Sequence, residues 1–122
     1  MQPLPISWNT LRFAESDEIG SHAMHKLLVV YNEPKDPAHF RKYYVETHLP
    51  LTSKMPGVKA SRYSFDVKPL GPGKAPYFCI FEAEFENEAA LMSAFASKEG
   101  QAVASDVPNY ASGGVTIVHF AV

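Results

Sequence analysis

His48 lies within the stretch "YYVETHLPL", residues 43–51, four residues after Tyr44 and eight after Phe40. Residues at that spacing share one face of a helix, and here that face would turn to the core. An imidazole has an ordinary pKa of about 6.5, which suits it to accept and return a proton near neutrality. At a helix end the same ring can instead hydrogen-bond the last free carbonyls, or simply pack. Tyr44 would set a hydroxyl beside His48 or serve as a core aromatic. Tyr31, Tyr63, Phe40 and Phe65 are candidates for an aromatic pocket wall, with Pro50 opening space at the break. Arg62 would orient a carboxylate or enolate if its face meets the pocket; on the other face it is solvated. Asp106 would orient a donor near the pocket or terminate its own helix.

The elements that must position these residues follow from pattern. Residues 26–32, "KLLVVYN", are rich in β-branched side chains and stop at Glu33-Pro34, which marks a strand. Asp36 is a helix N-cap with Pro37 at the first helical position, where a missing N–H costs nothing. Pro50 disfavours α geometry at Leu49, so the helix is expected to end near His48. Pro56-Gly57 marks a turn. Residues 58–67 alternate as a strand, with Tyr63, Phe65 and Val67 on one face and Arg62 on the other. Residues 77–86 form another strand, Phe81, Ala83 and Phe85 opposing Glu82, Glu84 and Glu86. Asn87 caps a second helix with Leu91 and Phe95 buried, Ser97 caps a further helical stretch, and "VTIVHFAV" closes the chain as a strand.

The order β-α-β-β-α-β is the ferredoxin-like α+β arrangement, a four-stranded antiparallel sheet with helices on one face. The other face carries apolar side chains that a lone domain leaves in water. Two sheets meeting face to face would cover them, so a homodimer is expected. The 122 residues suit one domain, residues 25–122. Residues 1–24 lack periodicity yet hold the only tryptophan, Trp8, with Leu11 and Phe13. They are read as an N-terminal arm that packs on the domain or a partner, and "GSHAM" at its end resembles a vector-derived stretch.

Composition excludes several functions. A net charge of −2 with scattered basic residues argues against nucleic acid. No run approaches the ~18 apolar residues of a membrane span, and the N-terminus has no signal-peptide pattern; a cytoplasmic protein is expected. Cys79, the sole cysteine, lies in the apolar run "YFCIF" and reads as a buried, inert thiol. His22, His25, His39 and His119 show no zinc-ligand spacing, so no metal site is expected. His119 is expected on a sheet face that meets the dimer partner. Gly71 and Gly73 fit no phosphate-binding loop.

At "HFRKYYVETHLPLTSKMPGV" the chain resembles the EthD family, whose helix runs Phe-x-x-Tyr/Trp-x-x-x-His-x-Pro-Leu into a Leu/Met-Pro-Gly turn. Phe40, Tyr44, His48, Pro50, Leu51, Met55, Pro56 and Gly57 fill those places, with three residues rather than two between Phe40 and Tyr44. The tail "SKEGQAVASDVPNYASGGVTIV" resembles the family's closing segment at Ser97, Asp106, Pro108 and Asn109. The resemblance spans about residues 25–122 and implies a dimeric α+β barrel with a pocket between each sheet and its helices. The family is named for a protein needed in ethyl tert-butyl ether degradation. Relatives of the fold include methylmuconolactone isomerases, aromatic polyketide cyclases and dehydratases, and cofactor-free monooxygenases, so the fold does not fix a reaction.

Three functions are therefore carried forward. The first is a cofactor-independent enzyme acting on a small apolar or aromatic oxygenated molecule, with His48 as proton shuttle. The second is a non-catalytic binding or accessory protein of a degradative oxidase. The third is haem binding through a histidine.

Overall fold

The computed structural model describes residues 24–122; the expectations for residues 1–23, His22 among them, lie outside the described residues. Strand β1 (His25–Tyr31) is central and pairs antiparallel with β3 (Cys79–Phe85) on one side and β4 (Val115–Ala121) on the other. Strand β2 (Ala60–Ser64) adds antiparallel to the outer side of β3, giving the order β2-β3-β1-β4. This is the expected ferredoxin-like topology, with β2 shorter than the alternation suggests. Cross-strand register fixes the faces. Leu27 opposes Ala83 and His119, and Val29 opposes Phe81 and Ile117, so these side chains share the face packed by helices. On the open face Leu28 opposes Glu82 and Val118, and Lys26 opposes Glu84 and Phe120.

Helix α1 (Pro37–Tyr43) starts as expected, the Asp36 carboxylate accepting from the His39 N–H at 3.1 Å. The expected stop near His48 is not observed. The chain continues through a π-helical turn (Tyr44–His48) into α2 (Leu49–Thr52), the Leu49 N–H donating to the Tyr44 carbonyl five residues back. Proline disrupts an α-helix because it lacks a donor and its ring meets the carbonyl four residues earlier. The wider turn relaxes the ladder just ahead of Pro50, so the helix bends past the proline rather than ending.

Helix α3 (Glu88–Ala96) is capped by Asn87 accepting from the Ala90 N–H, and α4 (Lys98–Asp106) by Ser97 accepting from the Gly100 N–H. The corner between them is tight enough that a Cβ on Gly100 would collide with the Ala94 carbonyl. A short 3₁₀ turn (Val107–Asn109) leads into β4. The core fills the space between sheet and helices. Phe40, Tyr44 and Phe85 are fully buried there, and Phe40 meets Tyr31, Phe65, Phe78 and Tyr110 edge-on at 5.0–6.1 Å between ring centres.

Candidate functional site

The π turn aligns Tyr44 and His48. Their rings stack at 5.5 Å and 22°, both inside the protein, and Tyr110 tilts against His48 at 4.7 Å. His48 is 2% exposed. Its Nδ1 lies 3.0 Å from Asp106 Oδ2, at the last residue of α4. Asp106 Oδ1 accepts two more hydrogen bonds, from the Tyr43 hydroxyl at 2.6 Å and the Asn109 amide at 2.9 Å. Thus one carboxylate ties the first helical segment to the end of the last helix.

The electrostatics settle the protonation. Burial alone would raise the Asp106 pKa, but the hydrogen bonds from Tyr43, Asn109 and His48 outweigh it and hold the group below its ordinary value of 3.8. Burial is also the largest influence on His48 and lowers its pKa from 6.5; the Asp106 hydrogen bond and charge oppose that without cancelling it. Near neutrality an ionised carboxylate therefore faces a neutral imidazole. A carboxylate only accepts, so Nδ1 carries the proton and Nε2 keeps its lone pair. Among the described residues Nε2 has no hydrogen-bond partner.

His48 and Tyr44 line an apolar cavity of about 60 Å³ between the sheet and the helices. Leu27, Val29 and Phe81 form its sheet wall; Phe95, Val103 and Val107 form much of its helical wall. Tyr31 reaches it from the end of β1, its hydroxyl 2.7 Å from that of Tyr110. Burial pushes the Tyr31 pKa up to about 12 and the Tyr44 pKa well above its ordinary 10. Both phenols stay protonated, and the Tyr44 hydroxyl is buried with no hydrogen-bond partner among the described residues.

The structure thus brings together His48, Tyr44, Tyr31 and Asp106 of the residues singled out in the sequence. Phe40 and Phe65 sit behind them, bracing Tyr44 at ring distances of 5.4 and 5.9 Å. Tyr63 is 43% exposed and reaches Tyr44 only with a ring edge, and Pro50 is exposed. Arg62 is a correction: it lies on the open face, donating to Glu82 at 2.6 Å and Glu84 at 3.2 Å. The strand's two-residue period puts it opposite Tyr63, away from the cavity. Sequence reasoning missed Tyr43 as a donor to Asp106, and Tyr110, hidden in a segment that reads only as a turn. Their signal was Asp106-x-x-Asn109-Tyr110, polar and aromatic residues crowded at a helix end. Cys79 is buried as expected, and burial pushes its thiol up to about 12.

One expectation about a histidine changes. His119 faces the helices, because register sets it beside Leu27. His25, far away in sequence, meets it there: His25 Nε2 lies 2.8 Å from His119 Nδ1. His39 remains apart, its ring against the Asn109 carbonyl at 3.2 Å.

Comparison with known proteins agrees with the architecture. The EthD domain pattern matches residues 32–114. An uncharacterized 11.0 kDa protein from the thcB-thcC intergenic region of Rhodococcus erythropolis is 41% identical over 96 residues, 78% of this chain and 91% of that protein. The crystal structure of an ethyl tert-butyl ether degradation (EthD) family protein from Bacillus halodurans superposes with a TM-score of 0.71 at 30% identity. The match covers 80% of this chain and 96% of that one. A dimeric ferredoxin-like protein of unknown function from Thermobifida fusca (TM-score 0.64, 13% identity, 82% and 92% covered) shares the fold. So does a hydroxynitrile lyase from Passiflora edulis (0.65, 13%, 83% and 94%). With the helix motif around His48, the closing segment around Asp106 and the sheet order all in place, the chain belongs to the EthD family.

Proposed function

We propose that the chain is a cofactor-independent enzyme that moves a proton on a small, apolar or aromatic, oxygenated molecule. The observation that carries this reading is His48 in the wall of an apolar cavity, with Nδ1 bonded to Asp106 and Nε2 without a hydrogen-bond partner among the described residues. A ring so fixed takes a proton at Nε2, and the imidazolium formed is then stabilised by the carboxylate behind it. The Tyr44 ring, stacked on His48, gives the ligand an aromatic wall. Isomerisation, dehydration, cyclisation and cofactor-free oxygenation all begin with such a step. The lyase of the same fold from Passiflora edulis shows the scaffold in an enzyme. A cavity of about 60 Å³ lies below the ~300–1,000 Å³ of drug-sized pockets, which favours a compact substrate over haem.

The homodimer belongs to the same proposal. Val118 and Phe120 are 45% and 41% exposed on the open sheet face beside Leu28 and Ile80, and the Thermobifida fusca relative of this fold is described as dimeric. Burying that face against a second copy removes the apolar band from water. Native mass spectrometry should give twice the chain mass, and Phe120→Asp should return the monomer.

The test of the reaction is a screen of small ketones, lactones and phenols by NMR in deuterated water. Exchange of a carbon-bound proton by the wild type, lost in a folded His48→Ala variant, is the expected result. Undiminished exchange in that variant would end the proposal. Ligand binding at the cavity without any exchange would favour a non-catalytic carrier instead.

A further inference from the structure

We propose that His25, His119 and Glu88 form a binding site for a divalent transition-metal ion of the zinc type. The ligating atoms of the three residues lie within 4.8 Å of one another. They come from three separate segments. His25 opens β1, His119 lies near the end of β4, and Glu88 is the first residue of α3. His25 and His119 lie on the helix-facing side of the sheet, diagonal to each other and two register positions apart along the β1–β4 ladder. Their rings are 5.0 Å apart and tilted by 49°, with His25 Nε2 and His119 Nδ1 at 2.8 Å.

In that pair one imidazole donates its proton to the other. Replacing the shared proton by a metal ion keeps both nitrogens where they already converge. Two nitrogens bound to zinc at about 2.05 Å and tetrahedral angles stand about 3.3 Å apart. The histidines therefore need to open by only about half an ångström. Glu88 completes a two-histidine, one-carboxylate set, a donor combination found in zinc sites that keep a fourth position open. His25 is buried while His119 and Glu88 are exposed, so the open position faces solvent. An ion here would cross-link β1, β4 and α3. Leu27 and Val29 follow His25 along β1, and Ile117 precedes His119 on β4; these residues wall the His48 cavity. The site is distinct from the His48–Asp106 pair and does not depend on the reaction assigned to it.

The test uses the full chain, freed of metal by chelation, titrated with zinc alone and separately with cobalt(II). The expected result is equimolar binding, a visible cobalt spectrum of low coordination number, and a Tm raised by about 5 °C or more at saturating zinc. His119→Ala and Glu88→Gln should each weaken zinc binding about tenfold or more and abolish the cobalt spectrum, while His39→Ala should change neither. If His119→Ala folds poorly, the exposed Glu88→Gln variant carries the test. No binding at millimolar zinc, or undiminished binding in either ligand variant, would overturn the assignment.

Discussion

The molecule contains two histidine pairs, and they are built in opposite ways. His48–Asp106 is assembled by helices, almost wholly buried, and braced by stacked aromatics. His25–His119 is assembled by strand register at the end of the sheet, with one ring buried and one exposed. In the first pair the partner is an ionised carboxylate held by three donors, which fixes the proton on Nδ1. In the second the partner is another imidazole, and either ring can be the donor. The contrast separates a site arranged to keep one tautomer from a site arranged to exchange its shared proton for something else.

Four variants or measurements would break or sharpen that contrast. The largest effect is expected from His48→Ala, which should lower any proton exchange by about 10⁴-fold while His119→Ala leaves it unchanged; exchange rates on the same substrate decide it. Next, Phe40→Ala removes the ring that braces Tyr44 and should cost about 3–5 kcal/mol by chemical denaturation. His119→Ala, measured without metal, should cost about 0.5 kcal/mol or less, as usual for an exposed side chain. If both cost the same, the two regions are not built differently. On exchange, Asp106→Asn should cost less than His48→Ala, about 10²–10³-fold. Its amide would donate to Nδ1 and drive the proton to Nε2, blocking the base. ¹⁵N NMR should show the wild-type Nδ1–H tautomer and its reversal in the variant.

The smallest effect is a slope of stability with pH. The folded state lowers the His48 pKa, so as pH falls below about 6.5 the unfolded chain takes up this proton first. Stability from this group is full above that pH and declines below it; replacing His48 by Phe should flatten this part of the curve. Asp106, with its pKa held down, acts in a lower window, full above 3.8 and lost in more acid solution. Urea melts across pH 3–8 would resolve the two. A His48 region that gains stability as pH falls would contradict the assigned protonation.

How much of this the sequence shows depends on the kind of signal. The sheet order was legible because turns, caps and period-two alternation each leave local marks, Asp36, Asn87 and Ser97 among them. His48 and Tyr44 were legible because helical spacing is also local. The Asp106 contact was anticipated only as a general nearness to the pocket, since it joins residues 58 apart through packing. Pro50 misled because the rule that proline ends a helix assumes a regular α ladder, and the π turn removes that assumption. The meeting of His25 and His119 was invisible for another reason. No spacing records which residues of a first and a last strand will lie diagonal to each other, and a single-residue slip would part them.

That π turn also has a consequence for comparing this chain with others. It inserts one residue into what is otherwise continuous helix, and each residue of an α-helix turns the chain by about 100°. The π turn absorbs that 100° by widening locally, so the segments before and after it keep the phase of an uninterrupted α-helix. A relative one residue shorter between Tyr44 and His48 would run as plain α-helix there, with its aromatic ring and imidazole three apart and still on one face. A one-residue gap within these five positions is therefore compatible with the same chemistry, and an alignment that forces the gap elsewhere misplaces the ring.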